Sequence, residues 1–317
     1  MSFPQIVLTG SVAMDRIMVF SGKFEDVIQP DKLHLLSVSV LLDELRETRG
    51  GVAANIAYNL GLLGQESVLL AAVGEDARDY MADLSGLGVN TDFLHYSKFK
   101  TASFSVITDQ NDCQVGGFYP GAMADARSLS LKPWKNSKAL IVISPHDPTK
   151  MARQVEECQQ LDLKMLYDVG QQVSNLDQKD LRAGVEAAEV LILNDYELGL
   201  LIKKTGWTQE QILGKVKLLL VTLGEQGVKI LQPGKKERLV KAVKLKKIVD
   251  PTGAGDAFRA GFLAGFVRQF EVVKSAQLGC VAASFAIQKH GTQEHQFDKN
   301  KIIERYHQTY GKKIILS

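Results

Sequence analysis

The stretch DPTGAGDAFRAGF, residues 250–262, decides the fold and chemistry expected of this chain. KKIV, residues 246–249, precedes it and predicts the end of a strand, and the apolar-faced pattern that follows predicts a helix. Between them, Gly253 and Gly255 let backbone N–H groups turn inward without a Cβ in the way. A helix N-terminus adds free donors and a partial positive charge, so this turn predicts a site for phosphate oxygens.

Asp256 is the unexpected residue of this turn. A carboxylate repels phosphate, so its position at the mouth of an anion site favours a base that accepts the proton of an attacking hydroxyl. The alternative is that it only caps the helix, because Asp, Pro and Gly are ordinary at helix starts and turns. The chain has no GxxxxGK[ST] sequence, which excludes an ordinary P-loop. The predicted donors to a phosphoryl group in transfer are the N–H groups of Gly253, Ala254, Gly255 and Asp256.

A second glycine-rich motif, RGGVAANIAYNLGLLG, spans residues 49–64. Its paired glycines mark a turn, and the small apolar residues after them predict a helix over residues 52–63. Asn55 is the polar exception near the helix start. It is either a local cap or a contact for a substrate hydroxyl, and the presence of the first motif favours the contact.

The two motifs resemble the signatures of the ribokinase-like kinases, the family of sugar and nucleoside kinases that includes ribokinase and adenosine kinase. Within that family the chain is most similar to bacterial adenosine kinases of the mycobacterial type, over nearly its whole length. The resemblance implies transfer of the γ-phosphoryl group of magnesium–ATP to the 5′-hydroxyl of adenosine, a purine-salvage reaction that gives AMP and ADP. The resemblance to this family also rests on five further segments: GSVAMD (10–15), FYPGAM (118–123), NDYE (194–197), KTGW (204–207) and GTQE (291–294).

Two alternatives stay open beside adenosine kinase. A ribose-type or fructose-type sugar kinase, or another nucleoside kinase of the family, would use the same acceptor residues. A nucleotide sensor without catalysis would keep the fold, but the intact Asp256 and the N-x-x-E element argue against it.

The resemblance implies a ribose site that includes Asp15, although an Asp after a short strand also suits a turn. A carboxylate fits a pair of sugar hydroxyls because each of its oxygens accepts a hydrogen bond. The residues that match ribose contacts in relatives are Ser11, Asp15, Gly51 and Asn55.

The resemblance further implies that Phe104 and Phe118 hold the purine, whereas aromatic residues in strands by themselves favour simple packing. Gln171 and Gln172 offer amides to an adenine edge, or they are surface turn residues. The chain departs from its relatives near Asn175, where a basic residue is expected, and this puts one nucleoside or phosphate contact in doubt.

The donor site implied by the resemblance begins with Asn194 and Glu197, which share one helix face at i, i+3. In the family this element helps to hold Mg²⁺ and phosphates, largely through water, and the same spacing also suits a helix cap. The TLGEQG loop resembles the loop that contacts the phosphates and ribose of ATP, or its glycines mark a hairpin. Its residues are Thr222, Leu223, Gly224, Glu225, Gln226 and Gly227.

Composition is that of an ordinary globular chain: 317 residues, 45% hydrophobic and 23% charged, with a net charge of +2. It predicts one domain over residues 1–317 and gives no case for nucleic acid or membrane partners. The basic residues 235–247 alternate with apolar ones, which predicts solvated strands. Three separated cysteines, no HExxH motif and no basic leader predict a cytoplasmic protein without disulfides or a transition-metal site.

Apolar runs alternate with helical patterns, which predicts an α/β fold with a mainly parallel sheet flanked by helices. Three segments break this pattern and predict a small β-sheet lid that excludes water: residues 14–20, 34–48 and 101–119. The family resemblance implies that this lid also forms a homodimer contact. The predicted strands of the main sheet are residues 5–8, 67–72, 139–143, 164–168, 190–193 and 218–222. The predicted helices include residues 52–63, 147–161, 196–203, 257–267 and 272–289.

Overall fold

A computed structural model describes residues 5–316; the first four residues, which belong to the segment that the sequence predicts to contain no basic leader, lie outside this range. The strands are β1 (Ile6–Thr9), β2 (Ala13–Val19), β3 (Glu44–Gly50), β4 (Ser67–Leu70), β5 (Ala72–Gly74), β6 (Val89–Asn90), β7 (His95–Ser97), β8 (Ala102–Thr108), β9 (Gln114–Tyr119), β10 (Leu140–Ile143), β11 (Lys164–Tyr167), β12 (Val190–Asn194), β13 (Leu218–Thr222), β14 (Val228–Leu231) and β15 (Arg238–Val240). The α-helices are α1 (Phe24–Val27), α2 (Val52–Leu62), α3 (Arg78–Gly86), α4 (Pro148–Gln160), α5 (Gln178–Ala187), α6 (Asp195–Thr205), α7 (Gln209–Leu213), α8 (Ala254–Val267), α9 (Val272–Ala286) and α10 (Lys299–Tyr310).

The central sheet has the strand order β15-β14-β13-β12-β11-β10-β1-β4-β6. All neighbours from β13 to β6 are parallel, and β14 and β15 add an antiparallel edge. This confirms the predicted α/β fold with a mainly parallel sheet. Each of the predicted helices and main-sheet strands is present, with bounds shifted by a few residues.

Helices cover both faces of this sheet, because its strands are apolar on both sides. In β1, Ile6 and Leu8 pack in one core with α2, α3, α8, α9 and α10, whereas Val7 packs in the other with α4, α5, α6 and α7. All three side chains are fully buried. This arrangement leaves the carboxyl ends of the parallel strands as the edge where loops collect.

A separate four-stranded sheet has the order β3-β2-β8-β9. Its β8–β9 hairpin confirms the hairpin predicted around the DQND tip, whose turn is closed by Asp109 accepting hydrogen bonds from the N–H groups of Asn111 (2.8 Å) and Cys113 (2.9 Å). Strands β2 and β8 are parallel and the other pairs antiparallel. In the predicted segment 34–48 the strand begins only at Glu44.

The prediction of a strand over residues 246–249 is wrong, since this segment has no regular structure. The Val249 N–H donates to the carbonyl of Ile287, at the end of α9, at 2.8 Å, so the backbone pairs with a helix end instead of a strand. In the basic stretch 235–247, likewise, only β15 is a strand. No helix of the described residues has the length and apolar character needed to cross a membrane.

Candidate active site

The turn before α8 has the shape expected of an anion site. Gly253 caps the helix with φ 78°, a conformation that favours glycine. Asp250 closes the turn by accepting from the N–H groups of Thr252 (2.9 Å) and Gly291 (3.0 Å). The backbone donors of α8 therefore begin at a fixed position on the carboxyl edge of the sheet.

Three of the four predicted donors in this turn are available. The N–H of Ala254 differs from the expectation, because it donates to the carbonyl of Pro251 at 3.2 Å. The N–H groups of Gly253, Gly255 and Asp256 have no backbone acceptor within residues 5–316. The turn can thus offer three amide donors to an oxyanion.

The carboxylate of Asp256 lies in the first turn of α8. Burial raises its pKa to about 6, while the positive charge of Arg259 and a hydrogen bond from Asn55 act in the opposite direction. The Asn55 Nδ2 donates to Asp256 Oδ2 at 2.8 Å. A carboxylate with this pKa is ionised at neutral pH and still basic enough to accept a proton.

The amide of Asn55 is fixed by two residues from the C-terminal part of the chain. Its Oδ1 accepts a hydrogen bond from Gln293 Nε2 (2.8 Å) and lies 2.9 Å from Thr292 Oγ1, whose single proton is shared with the Arg49 carbonyl oxygen at 2.8 Å; Gln293 also contacts the hydroxyl of Tyr80. Because Gln293 donates to Oδ1 and a carboxylate only accepts, Nδ2 faces Asp256. Sequence reasoning gave no role to Thr292, Gln293 or Tyr80, although the first two belong to the GTQE segment.

Asp15 and the two predicted aromatics stand in one row across the small sheet. Asp15 pairs with Phe104 between β2 and β8, and Phe104 pairs with Phe118 between β8 and β9, so their side chains share a face. Phe104 is 39% exposed and Phe118 51% exposed, so neither is a core residue. Burial raises the pKa of Asp15 to about 6, and its charge also raises the pKa of Asp256.

Ser11 and Gly51 shape the start of α2. Ser11 Oγ accepts a hydrogen bond from the N–H of Val52 at 3.0 Å, and a Cβ added to Gly51 would lie 2.6 Å from the Ser11 carbonyl oxygen. Gly51 has φ 93°, so it needs glycine for its backbone as well as for space. The end of β1 and the end of β3 meet at this point.

A cavity of about 420 Å³ opens at the carboxyl edge of the central sheet. It contains the predicted base and both predicted parts of the donor site, which come from the ends of β12 and β13 and the start of α8. The lining residues are Val52, Pro145, Asp168, Gly170, Gln171, Asn194, Asp195, Tyr196, Glu197, Thr222, Gly224, Gly255, Asp256 and Arg259.

Asn194 and Glu197 form the helix cap that their spacing allows, at the start of α6. Asn194 Oδ1 accepts from the N–H of Glu197 at 2.7 Å, and Glu197 Oε2 accepts from the N–H of Asn194 at 2.8 Å. Burial raises the pKa of Glu197. Because the cap uses only Oε2 of Glu197, Oε1 remains for the cavity. One remaining carboxylate oxygen fits a cation that is bound mainly by phosphates and water. No cluster of three metal-ligating side chains occurs in the described part of the chain.

The remaining predicted residues are less involved in the cavity. Gln172 Oε1 accepts a hydrogen bond from Asn175 Nδ2 at 2.8 Å, at the position of the sequence departure. In the TLGEQG loop, Glu225 and Gln226 are exposed and Leu223 packs against the second core. Gly227 has φ 101° and joins β13 to β14, so this loop is also the hairpin that its glycines allow.

The family model described as pfkB family carbohydrate kinase matches residues 14–299. The chain belongs to the pfkB family. A nucleoside kinase of Methanocaldococcus jannaschii is 29% identical over 272 residues, covering 85% of this chain and 89% of that protein. The structure of a Burkholderia thailandensis nucleoside kinase in complex with inosine has a TM-score of 0.85 and 31% identity, covering 97% of this chain and 99% of that one. The same kinase in complex with ADP-inosine has a TM-score of 0.84 and 32% identity, covering 97% of each chain.

These comparisons show that this pfkB-family protein has the ribokinase-like fold and is a kinase of the nucleoside and sugar class. Members of the family are phosphotransferases that act on hydroxyl groups. The ribokinase-like resemblance of the sequence is therefore confirmed, and the separate sheet corresponds to the predicted small β-sheet.

One charged pair in the cavity of this pfkB-family kinase was not predicted. Asp168 follows β11, and Arg259 lies on α8 one turn after Asp256. Arg259 Nη2 donates to Asp168 Oδ1 at 2.6 Å, and Arg259 Nε also contacts Asp168 Oδ2. The two residues are 91 positions apart, and only the meeting of β11 with α8 in the folded chain brings them together.

Proposed function

We propose that this kinase transfers the γ-phosphoryl group of ATP to the 5′-hydroxyl of adenosine. The observation that carries the proposal is the position of Asp256, a carboxylate with a pKa near 6, in one cavity with the ends of β12 and β13. Asn55 orients this carboxylate, and three free N–H groups lie beside it. This arrangement suits proton removal from an alcohol next to a phosphoryl group in transfer.

In the proposed step, the 5′-oxygen of the nucleoside forms a bond to the γ-phosphorus while the bond from that phosphorus to the β–γ bridging oxygen breaks. ADP leaves with the bridging oxygen and its electron pair, and Asp256 accepts the hydroxyl proton. The N–H groups of Gly253, Gly255 and Asp256 stabilise the charge on the transferring oxygens without having to reorganise.

Glu197 and Asn194 are the residues proposed to hold Mg²⁺, largely through water molecules. Bound Mg²⁺ would neutralise charge on the phosphates of ATP. Within the chain itself, Thr222 and Gly224 line the same cavity and are proposed to contact those phosphates. The neighbouring structure with ADP-inosine supports an adenine nucleotide as the donor.

The row of Asp15, Phe104 and Phe118 supports a nucleoside as the acceptor. Asp15 would accept hydrogen bonds from ribose hydroxyls, and the two exposed rings would contact the flat purine. Ser11, Gly51 and Asn55 would complete the ribose site, while the amides of Gln171 and Gln172 would face the purine edge. Inosine is a second candidate because the Burkholderia thailandensis kinase binds it. A glutamine carboxamide can pair with the purine of adenosine or of inosine, since rotation of the amide exchanges its donor and its acceptor.

A substrate panel tests this proposal. Purified protein would be incubated with magnesium and ATP together with adenosine, inosine, guanosine, ribose or fructose, and the products identified by mass spectrometry. We expect the highest kcat/KM with adenosine and a product phosphorylated at the 5′-oxygen. A preference for ribose or fructose would refute the nucleoside assignment, and the absence of turnover with every acceptor would refute the kinase mechanism.

We further propose that the kinase is a homodimer through the small sheet. Strand β9 is one of the two edge strands of that sheet and is exposed along its whole length, with Val115 55% exposed and Tyr119 48% exposed. An apolar edge strand favours pairing with another chain.

A cytoplasmic location is proposed as well, because Cys113 is a free, exposed thiol, which is typical of a reducing compartment.

A further inference from the structure

Arg259 is a buried cation that the proposed mechanism does not yet use. It follows Asp256 by three residues on α8, so the two side chains lie on the same helix face. Arg259 is only 7% exposed, and it lines the cavity. Burying a guanidinium group costs free energy unless its N–H donors find acceptors, so the partner of each of its nitrogens matters.

Asp168 contacts two of the three nitrogens. Its Oδ1 accepts a hydrogen bond from Nη2 at 2.6 Å and its Oδ2 contacts Nε, which makes no hydrogen bond within residues 5–316, and the two contacts fix the plane of the guanidinium group. The third nitrogen, Nη1, makes no hydrogen bond or ion pair to a side chain or backbone group within residues 5–316. It lies close beneath the anion turn, since a Cβ added to Gly255 would be 2.8 Å from it.

The charge of the cavity shows why this nitrogen matters. Four acidic residues line the cavity, and Arg259 is the single cationic side chain among the lining residues in the described range. A triphosphate entering such a cavity meets mostly repulsion from the protein. A positive charge held next to the free N–H groups would offset this repulsion at the point where the phosphoryl group passes. The acidic residues are Asp168, Asp195, Glu197 and Asp256.

We propose that Arg259 is a further catalytic residue whose Nη1 donates a hydrogen bond to the γ-phosphoryl group while that group moves from ATP to the nucleoside. Asp168 is the positioning residue that aims it. The inference depends on the proposed phosphoryl transfer, and it assigns the transition-state cation to the chain's own α8 helix. An arginine serves this role well because its planar donors match phosphate oxygens.

The test is a double variant, Arg259→Met with Asp168→Leu, which removes both charges together and leaves no unpaired ion in the interior. We expect kcat to fall by roughly 10²-fold to 10³-fold, the usual loss for one transition-state donor. The affinity for a non-hydrolysable ATP analogue should fall about tenfold or more while ADP affinity changes less than about threefold, since only the analogue has a γ-phosphoryl group to accept the hydrogen bond. Both affinities would be measured by isothermal titration calorimetry.

Arg182→Met is the matched control, because Arg182 is also tied to the protein, through the carbonyl of Thr205, but lies outside the cavity. It should keep kcat and both nucleotide affinities near those of the wild type. If the double variant fails to fold, Arg259→Lys replaces it, which keeps a positive charge near Asp168 and removes the Nη1 donor; the same loss of kcat and the same selectivity are expected.

Two results would overturn the inference: kcat within about threefold of the wild type, or equal losses of affinity for ADP and for the ATP analogue. Both leave the proposed function intact, because the wild-type enzyme would still phosphorylate adenosine. Failure of the wild type to turn over any acceptor would refute the proposed function instead.

Discussion

At the scale of single residues, the proposed chemistry of the site depends on how the amide of Asn55 orients the carboxylate of Asp256. Asn55 is 3% exposed, and its oxygen accepts from Gln293 and contacts Thr292, so its nitrogen is directed at Asp256. The carboxylate in turn lies next to Arg259 and to the free N–H groups of the turn. Under the proposed mechanism, proton removal and charge stabilisation therefore both take place within the first turn of α8.

Replacing Asp256 with Asn should lower kcat by roughly 10²-fold to 10⁴-fold, because the amide cannot accept the hydroxyl proton. Adenosine binding should persist, since the proposed ribose contacts at Asp15 and Ser11 are unchanged. Steady-state kinetics and calorimetric titration with adenosine would measure the two effects. As a control, Asp83→Asn removes an exposed carboxylate that pairs with Arg49 and should leave kcat unchanged. Near-normal turnover of Asp256→Asn would contradict the role of the base.

The pH dependence of turnover should follow the pKa of about 6 of Asp256. Only the ionised carboxylate accepts a proton, so kcat should rise with pH through about 6 and level off above about 7. Asp15 has a similar pKa and its charge acts on Asp256, as does that of Glu197, while Arg259 acts in the opposite direction. The carboxylates therefore titrate as a coupled set.

Asp15→Asn provides the check on this profile. Loss of the Asp15 charge removes one source of repulsion, so the midpoint of the kcat profile should move to lower pH. Rates would be measured from pH 5 to pH 8 at saturating adenosine and ATP. A flat profile across that range would argue that proton transfer to Asp256 does not limit turnover.

At the residue scale, the sequence singles out residues of the cavity where the signal is local. The glycines, Asp256 and Asn55 lie in two short motifs, and the cavity contains Asp256, Gly255, Asn194, Glu197, Thr222 and Gly224. The partners of Asn55 lie more than 200 positions away in the sequence, and Asp168 and Arg259 are 91 apart. No local pattern encodes such pairs, so Arg259 was missed.

At the scale of elements, the position of α8 depends on its contact with α9. A Cβ added to Gly261 would lie 2.7 Å from the Cα of Gly279, and one added to Gly279 would lie 2.7 Å from the carbonyl oxygen of Phe258. The paired glycines let the two helices approach backbone to backbone. This close contact holds the helix whose N-terminus carries Asp256.

Gly261→Ala should therefore lower the free energy of unfolding by about 1–3 kcal/mol, because the added methyl group overpacks the helix contact. Gly199→Ala is the matched control: Gly199 is also inside a helix, but a Cβ there meets no atom within 4 Å. That variant should be more stable by about 0.5–1 kcal/mol, from helix propensity alone. Urea denaturation would measure both, and a loss of stability in the control equal to that of Gly261→Ala would rule out overpacking as the cause.

The same scale explains which elements the sequence predicts. Fully buried strands such as β1 and β10 are short apolar runs, and α2 and α8 have strong apolar faces, so these were predicted. Helix α10 was not, because only Ile302 and Tyr306 of its twelve residues are buried. The error at residues 246–249 has a different cause, since the backbone N–H of Val249 donates to the carbonyl of Ile287 at the end of α9 and not to a neighbouring strand.

At the scale of the whole molecule, the β9 and β15 sheet edges differ in how strongly they favour pairing with a second chain. The β9 edge of the small sheet carries Val115, Phe118 and Tyr119, all about half exposed. The β15 edge of the central sheet is a short strand in a lysine-rich stretch, and lysines discourage pairing at an edge. The small sheet is therefore the proposed contact between two copies.

Val115→Lys should convert the proposed dimer to a monomer, because a charge at the β9 edge disfavours pairing. Light scattering at micromolar concentration should give twice the mass of the 34.9 kDa chain for the wild type and that mass once for the variant. Leu239→Lys makes the matched change on β15, where Leu239 is 52% exposed, and should stay dimeric. A monomeric wild type would refute the homodimer.

The hydrogen bonds of Asn55 also set the order in which a newly made chain becomes active. They join Asn55 to Asp256, 201 positions later, and to Thr292, 237 positions later. A ribosome releases the N-terminal part first, at about 5–20 residues per second, so β1 and α2 can begin to fold before those partners exist. Under the proposed mechanism, the base of a nascent polypeptide is held in position by these hydrogen bonds only after residue 293 has left the exit tunnel. Incomplete products of translation would thus consume no nucleotide, however much of their sheet had formed.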